Sequence, residues 1–201
     1  MSVADRRQRE KLALRQVILS AARELFAKEG YESVSMRKIA EKIEYSPTTI
    51  YLYFQDKHDL IHEICEGTFA LLTKKVVKAL VSSSDPVERL KAGLRAYVDF
   101  GIGHPNHYRV TFMTPHEHIQ EKELEESEGG KAFQCLVQGV AACVEAGRFR
   151  ETDVAAVSQA LWSVIHGVTS LQVSHKDCFP WVEQNRLIDL TIDCAVRGLL
   201  R

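Results

Sequence analysis

The chain has 201 residues, of which 45% are hydrophobic and 26% are charged, and this composition excludes an intrinsically disordered protein. Its formal net charge of −1 conceals an asymmetry. Residues 1–53 hold ten Lys/Arg and seven Asp/Glu, whereas the remainder holds 16 and 20. A basic first part joined to an acidic body is typical of a small module that approaches phosphates.

No targeting or membrane pattern is visible. Residues 1–11 are polar, and no apolar stretch of the kind found in a signal peptide follows them. The longest run without Asp, Glu, Lys or Arg, 154–175, contains many Ser, Thr and Gln residues, whereas a membrane span needs about 20 apolar residues. We therefore expect a cytoplasmic protein that contacts no membrane.

Five cysteines are widely scattered and form no C-x-x-C pair. In the cytoplasm they are expected to stay reduced. Cys135, Cys143 and Cys194 have apolar sequence neighbours, so we expect them to be small buried hydrophobic residues.

Helical periodicity begins early in the chain. Apolar residues recur at i, i+3 and i+4 across 12–26, which predicts a helix with one buried face, and Gly30 follows its expected end. Ser35 is placed to cap a short helix over 36–43.

A second short helix and a long one follow. Ser46 suits the N-cap position and Pro47 the first helical position, where a missing N–H has no consequence. This helix is predicted to end near Phe54, and Asp56 is placed to cap a long helix over 57–81.

The remaining chain is also helical in pattern. Between its helices, 114–130 is acidic and irregular, which predicts a connection with at most one helical stretch. Neither strand-like alternation nor an internal repeat is present, so the sequence predicts an all-α fold of about nine helices. The later helices are expected over 86–103, 106–113, 131–146, 153–174 and 182–200.

The two short helices form a helix-turn-helix pattern. Ala40 lies where they would come closest, and Ile50 and Phe54 have core-facing spacing on the second helix. The other positions of that helix are hydroxyl or aromatic donors, which can lie against phosphates and base edges without charge repulsion. They are Ser46, Thr48, Thr49, Tyr51 and Tyr53.

Over residues 17–60 the chain resembles the TetR family of repressors. The resemblance is carried by four segments in order: A-x-x-L-F-x-x-x-G-Y, V-S-M-R-K-I-A, S-P-T-T-I-Y-L-Y-F and D-K-H-D-L, which begin at Ala22, Val34, Ser46 and Asp56. It implies a DNA-binding domain over 1–56 and a helical ligand-binding and dimerisation domain over 57–201. It also implies a homodimeric repressor that a small, largely apolar ligand releases from a palindromic operator.

The resemblance implies a set of DNA-binding residues. Ser35 would touch a phosphate, Tyr51 and Lys57 would hold phosphates on either side, and the others would face bases or backbone. These others are Arg37, Ser46, Pro47, Thr48, Thr49 and Tyr53. Two positions depart from the family pattern: Tyr45 replaces a small residue, and Leu52 replaces a polar one. Leu52 would either meet a thymine methyl or pack against a neighbouring helix.

A basic run precedes this region. The segment R-R-Q-R-E-K over 6–11 is either a flexible arm that reaches a minor groove or a solvated start of the first helix.

The helix over 153–174 carries no charge after its first residue, which predicts that it is central in the body or covered by a partner chain. It contains Trp162, His166 and Gly167 in the spacing W-x-x-x-H-G, which resembles one subgroup of TetR ligand domains. The pair is either a core Trp beside a hydrogen-bonded His or one wall of a ligand pocket. With these two, the candidate ligand-binding residues are the aromatic residues Phe69, Tyr97, Phe100, Tyr108, Phe112 and Phe133.

Two alternative functions stay open at the level of sequence. A metal-responsive regulator could use His104, His107, His116 and His118 near Glu117 and Glu121, although their spacing matches no standard site. A DNA-binding protein without an effector is the second alternative. Gly-rich phosphate loops, G-x-S-x-G and H-E-x-x-H are absent from the sequence, so we expect neither an enzyme nor a bound cofactor.

Overall fold

The structure is a computed structural model that describes residues 3–114 and 126–201, except for the side chain of Val3. The described residues form nine α-helices and no β-sheet, which confirms the all-α prediction. The helices are α1 (Val3–Glu29), α2 (Met36–Lys42), α3 (Pro47–Tyr51), α4 (Lys57–Leu80), α5 (Pro86–Gly103), α6 (Pro105–Phe112), α7 (Glu128–Glu145), α8 (Val154–Ser174) and α9 (Gln184–Arg197).

The helix ends have the caps that the sequence predicts. Ser35 Oγ accepts a hydrogen bond from the N–H of Lys38, and Asp56 Oδ1 accepts one from the N–H of Asp59, at 3.2 and 2.8 Å. Gly30 ends α1 with a φ of +82°, and its N–H donates to the carbonyl of Phe26. A left-handed φ favours glycine, so this turn follows directly from the residue at this position.

The chain divides into two compact units. The head unit holds the described residues of Met1–Gly67 and Asn106–Glu117, and the body unit holds those of Thr68–Pro105 and His118–Arg201. The division falls within α4, not at its start, and α6 belongs to the head unit. The compact units therefore differ from the predicted domains 1–56 and 57–201, which were placed where one helix ends and the next begins.

The head unit is organised around one apolar cluster. α1 contributes most of its predicted face, but Leu12 and Val17 are exposed. Ala40 of α2 has no exposed surface, as expected where α2 and α3 pack closely. Val110 of α6 is also fully buried in this cluster, which the sequence did not predict. The fully buried members are Ile18, Ala22, Ile39, Ala40, Ile50, Leu60 and Val110.

The body unit is built around α5, which packs against α7, α8 and α9. Buried residues occur on most of its turns, among them Leu90, Leu94 and Val98. Its charged side chains connect it to α9 at the surface: Lys91 Nζ lies 2.8 Å from a carboxylate oxygen of Asp193. This hydrogen bond lowers the pKa of the Asp193 carboxyl.

α8 is buried on one side only. Residues such as Leu161 and Ile165 face the interior of the body unit, but the opposite side of the helix is exposed and uncharged. The prediction that α8 lies at the centre of its own chain is therefore wrong, and that position belongs to α5. The alternative that a partner covers α8 stays open.

By length and composition alone, α8 is apolar enough to cross a membrane, so the expectation that its polar residues exclude this was too strict. Within the body unit, however, one side of α8 packs along α5, α7 and α9. Its Ser and Thr hydroxyls donate to carbonyls of the preceding turn, as Ser158 does to Val154 at 2.7 Å.

Candidate nucleic-acid interface and effector site

The orientation of α3 follows from two anchors. Ile50 and Phe54 are buried in the head cluster, so the other sides of this short helix point outwards. Thr48, Tyr51 and Leu52 are exposed as a result. Two other predicted contact residues, Thr49 and Tyr53, are half-buried at the edges of this surface.

The N-terminus of α3 carries two hydroxyls in contact. Ser46 Oγ accepts the N–H of Thr49 at 3.2 Å, and the two side-chain oxygens lie 2.9 Å apart. Since only one hydroxyl hydrogen can occupy the space between them, the other hydroxyl can donate outwards. With Pro47 at the first helical position, this end of α3 presents a donor but no charge.

Leu52 is the most exposed large hydrophobic residue of the motif. Its relative exposure is 73%, so it does not pack against a neighbouring helix of the head unit. This excludes the packing interpretation of Leu52 within the chain. A contact with a thymine methyl remains consistent with its position next to Tyr51 at the end of α3.

α2 places two predicted contact residues at the surface. Ser35 is exposed at the N-cap, and the exposed Arg37 donates from Nε to Glu41 at 3.2 Å. An exposed ion pair of this kind contributes less than about 1 kcal/mol, so a phosphate can replace Glu41 as the partner of the guanidinium.

Lys57 is more constrained than the sequence indicates. Its Nζ donates to the carbonyl oxygen of Tyr31 at 2.9 Å and lies 4.0 Å from the centre of the Tyr31 ring. The ammonium group is therefore held in place at the start of α4 with further N–H bonds available. The role of Tyr31 in holding it was missed, because no spacing pattern joins residues 26 positions apart.

The turn between α2 and α3 contains a strained residue that sequence reasoning also missed. Glu44 has a φ of +60°, in the left-handed region that disfavours residues with a Cβ. The next residue, Tyr45, donates its N–H to the carbonyl of Ala40 at 3.0 Å, which closes the turn. A Gly in this position would have indicated the turn from the sequence.

In the body unit, four of the predicted ligand-binding residues form a continuous group. The hydroxyl of Tyr97 lies 3.2 Å from Nδ1 of His166. The rings of Trp162 and His166 lie 5.9 Å apart, and Phe133 meets Trp162 edge-on at the same distance. Burial lowers the pKa of His166, so its imidazole is neutral at pH 7 and the site carries no charge from it.

Trp162 is not a core residue. Its relative exposure is 39%, so the interpretation of a core Trp beside His166 does not describe this side chain. The aromatic surface of Trp162 remains available at the edge of α8. The Tyr97–His166 contact, by contrast, is a half-buried hydrogen-bonded pair as the first interpretation expected.

The other four predicted ligand-binding residues lie outside this aromatic group. Phe69 packs close to Gly129, where a Cβ would lie 3.1 Å from the ring, and Phe100 stacks on His104 at 4.7 Å. Tyr108 and Phe112 contact each other at 4.8 Å in the head unit. Two surface grooves of the body unit, of about 370 and 520 Å³, are lined by none of the eight predicted residues.

The predicted metal ligands are only partly described. His104 Nδ1 lies 3.0 Å from the carbonyl of Phe100, which orients this imidazole. Residues 3–114 and 126–201 contain no group of three His, Cys, Asp or Glu side chains that could hold a metal ion. His107 lies in α6. The remaining predicted ligands, His116, Glu117, His118 and Glu121, lie outside the described residues.

Two family models match the chain. Residues 18–64 match "Bacterial regulatory proteins, tetR family", and residues 90–194 match "Tetracyclin repressor-like, C-terminal domain". The second match covers more than half of the chain and includes α8, but it does not confirm the W-x-x-x-H-G subgroup. The two matches together cover α3 and the four-residue aromatic group of the body unit.

The relatives are transcriptional regulators, not enzymes. FasR of Mycolicibacterium smegmatis, an HTH-type transcriptional activator, is 31% identical over 95 residues, which are 47% of this chain and 43% of FasR. KstR of Mycobacterium tuberculosis, an HTH-type transcriptional repressor, is 32% identical over 83 residues, 41% of this chain and 36% of KstR. The chain thus matches about two fifths of the length of these curated relatives.

The fold is shared over almost the whole chain. The crystal structure of a TetR family transcription regulator from Marinobacter aquaeolei VT8 is similar with a TM-score of 0.78 at 18% identity, and the match covers 96% of this chain and 98% of that one.

Proposed function

Because the chain belongs to the TetR family of DNA-binding transcriptional regulators, we propose that it is a cytoplasmic homodimeric repressor, which a small, largely apolar ligand releases from a palindromic operator. The observation that carries this proposal is the surface of α3. It is exposed, free of charge and rich in hydroxyl and aromatic donors, and it is anchored from behind by Ile50 and Phe54. A surface of this composition fits base edges and phosphates.

The dimer is supported by the exposed sides of α8 and α9. On α9, Ile188 and Ile192 are buried within the chain, but Leu190 has a relative exposure of 59% and Cys194 is exposed. The corresponding stripe of α8 recurs every three or four residues, carries no charge and has small side chains that allow helices to approach closely. It consists of the half-buried Gly167 and the exposed residues Ala156, Ala160, Ser163, Leu171 and Ser174.

The buried and the exposed residues of α9 have separate roles. The apolar residues Ile188 and Ile192 serve the core of the body unit, and Cys194 is exposed, not buried as expected. A symmetric pairing of two α8–α9 surfaces would cover the exposed residues in both copies at once. It would also provide two α3 helices, which must lie about 34–36 Å apart to enter successive major grooves.

The effector proposal rests on the group formed by Tyr97, Phe133, Trp162 and His166. Its aromatic rings supply apolar surface, and the neutral Tyr97–His166 pair supplies a hydrogen-bonding group that fixes orientation. α4 belongs to both compact units, so a ligand that changes the packing of the body unit can act on the head unit along this helix. Coupling of about 1–3 kcal/mol is typical and suffices to release an operator.

The operator proposal can be tested by selecting duplexes from a random pool with the intact protein. Palindromic sequences should be enriched, and affinity for them should fall steeply as salt rises, because Lys and Arg side chains release counterions from phosphates. Equal affinity for every duplex would contradict sequence-specific regulation.

The effector proposal needs a probe confined to the proposed site. The chain has two tryptophans, Trp162 and Trp181, so Trp181→Phe leaves Trp162 as the sole indole reporter. Fluorescence of this variant should respond to an apolar ligand that also lowers operator affinity in the wild type. A panel of aromatic acids, fatty acids and terpenoids supplies candidate ligands, and a Zn²⁺ titration tests the metal-responsive alternative.

Trp162→Ala then separates ligand response from folding. Since the Trp162 ring is partly exposed, the variant should bind the operator as the wild type does but need at least about tenfold more ligand for release. Loss of operator binding and of ligand response together would mean that Trp162 is only structural. A protein that no ligand or metal releases would support the effector-free alternative.

A further inference from the structure

The first half of α1 extends beyond the core of the head unit. The first buried residue of α1 is Ile18, and the helix begins at Val3, so about 22 Å of helix precedes the core at 1.5 Å per residue. Every residue from Ala4 to Ala13 is exposed. We call residues 4–17 the extension, and it lies outside the segment 18–64 that matches the family model.

The extension is basic. Five of its residues are Lys or Arg, and only Asp5 and Glu10 are acidic. Arg6 lies 3.4 Å from Glu10, and Arg9 donates to the backbone carbonyl of Asp5. Arg7 and Lys11, in contrast, have no hydrogen bond or ion pair with any residue that the structure describes, so their charges face solvent.

Arg15 determines where the extension leaves the head unit. Its guanidinium lies 5.0 Å from the centre of the Phe54 ring, just after α3, and forms an ion pair with Glu63. Residues four apart share one side of a helix, so Arg7 and Lys11 lie on the same side as Arg15. They are about 12 and 6 Å farther along the axis of α1, towards its N-terminus.

We propose that the extension is a second DNA-binding element, in which Arg7 and Lys11 hold backbone phosphates of the same operator duplex that α3 reads. This inference rests on the proposed function. It adds nonspecific electrostatic affinity to that of Arg37 and Lys57, since the exposed end of α3 itself carries no charge.

The physical state of the extension fits this role. A helix that packs against nothing over three turns is only marginally stable in water, and the Arg6–Glu10 pair adds about 0.2–0.5 kcal/mol. Phosphates beside Arg7 and Lys11 would remove the repulsion between these two like charges, which are four residues apart on one side of the helix. In the structure the basic run is the solvated start of α1, which is the second of the two interpretations considered from the sequence, and not a flexible arm.

The test compares two double substitutions of equal charge. Arg7→Gln with Lys11→Gln removes the proposed contacts, and Lys74→Gln with Lys78→Gln removes two exposed cations with the same i, i+4 spacing on the body part of α4. Gln retains helix propensity, and none of the four side chains is buried. Circular dichroism and thermal melting of both variants should match the wild type.

Operator affinity is measured from about 0.05 to 0.3 M salt. The slope of log K against log salt should decrease by about 0.9 for each phosphate that the variant no longer neutralises, so by up to about 3.6 for two phosphates in each protomer of a dimer. The Lys74/Lys78 variant should keep the wild-type slope, and a hydroxyl-radical footprint should become shorter only for the Arg7/Lys11 variant.

An unchanged slope and footprint for the Arg7/Lys11 variant, with operator preference intact, would overturn this inference and leave the proposed function standing. An equal decrease for both variants would also overturn it, since net charge alone would then explain the effect. A wild type without operator preference would contradict the proposed function itself.

Discussion

The molecule presents two exposed uncharged helix surfaces, one on α3 in the head unit and one on α8 in the body unit. The surface of α3 carries Thr48, Tyr51 and Leu52 at the end of a five-residue helix. That of α8 runs the length of a 21-residue helix and carries mostly Ala, Ser, Gly and Leu. Among the described residues, no helix of the same unit covers either surface.

The difference lies in what each surface can bind. Hydroxyl and phenol groups can exchange water for phosphate or base-edge partners, so α3 is suited to DNA. Small aliphatic side chains offer close packing and few hydrogen bonds, so α8 is suited to another apolar helix. Two surfaces that look equally neutral in a charge count therefore require different partners.

The largest effect is expected from a charge placed on the exposed surface of α8 and α9. Leu190→Glu places a carboxylate where two copies would meet, and burying it without a partner costs several kcal/mol. The dimer dissociation constant should rise at least about 100-fold, as measured by sedimentation equilibrium, while the monomer keeps its helical circular dichroism.

Two comparisons make this prediction specific. Val81→Glu changes an exposed apolar residue outside the proposed surface and should leave the dimer intact. Ile192→Glu places the charge inside the chain, where Ile192 is 4% exposed, and should unfold the body unit. A dimer that tolerates Leu190→Glu would show that the copies pair elsewhere or not at all.

A smaller effect is expected at the buried contact between α2 and α3, which holds α3 in place. Ala40 is fully buried where α2 and α3 pack, so Ala40→Leu should overpack this contact and cost about 1–3 kcal/mol of unfolding free energy. Operator binding should be lost at a temperature at which the body unit remains helical. Ala70→Leu, at an exposed site of α4, should change neither stability nor binding.

Leu52 offers a finer test of the α3 surface. If it contacts a thymine methyl, Leu52→Ala should reduce operator affinity about fourfold per half-site, since a buried methyl-sized group contributes about 0.8 kcal/mol. Replacing each operator thymine in turn by uracil removes the methyl. With uracil at the contacted position, the wild type and Leu52→Ala should have equal affinity for the operator. If no uracil position gives equal affinities, Leu52 does not contact a thymine methyl.

The smallest effect concerns the turn that presents α3. Glu44→Gly removes the Cβ from a residue with a φ of +60°, a relief of about 1–2 kcal/mol that the extra freedom of Gly in the unfolded chain partly offsets. The head unit should gain about 0.5–1 kcal/mol in denaturant unfolding. Glu44→Ala keeps the Cβ and should give no such gain.

The sequence predicted local features well because they depend on neighbours. Ser35, Ser46 and Asp56 cap helices as expected, and Ala40 is buried as a residue between two close helices must be. Each of these predictions needs only residues within one or two turns of helix. The nine helices of the described residues and the helix-turn-helix pattern followed from the same local patterns.

The features that were missed depend on contacts distant in sequence. Nothing near Val110 indicates that α6 completes the head cluster, and nothing near Lys57 indicates that Tyr31 holds its ammonium group. The one-sided burial of α8 was hidden for a different reason. An uncharged helix has the same composition whether its own chain or a second copy covers it.

The central claim is that two copies, joined through α8 and α9, place two α3 helices on one palindromic operator. The most direct measurement is the mass of the complex, by sedimentation or native mass spectrometry, on a duplex with both half-sites and on one with a single half-site. We predict two protomers on the full operator at nanomolar protein, and affinity at least about 100-fold lower for the single half-site. One protomer per full operator, or equal affinity for both duplexes, would contradict the account.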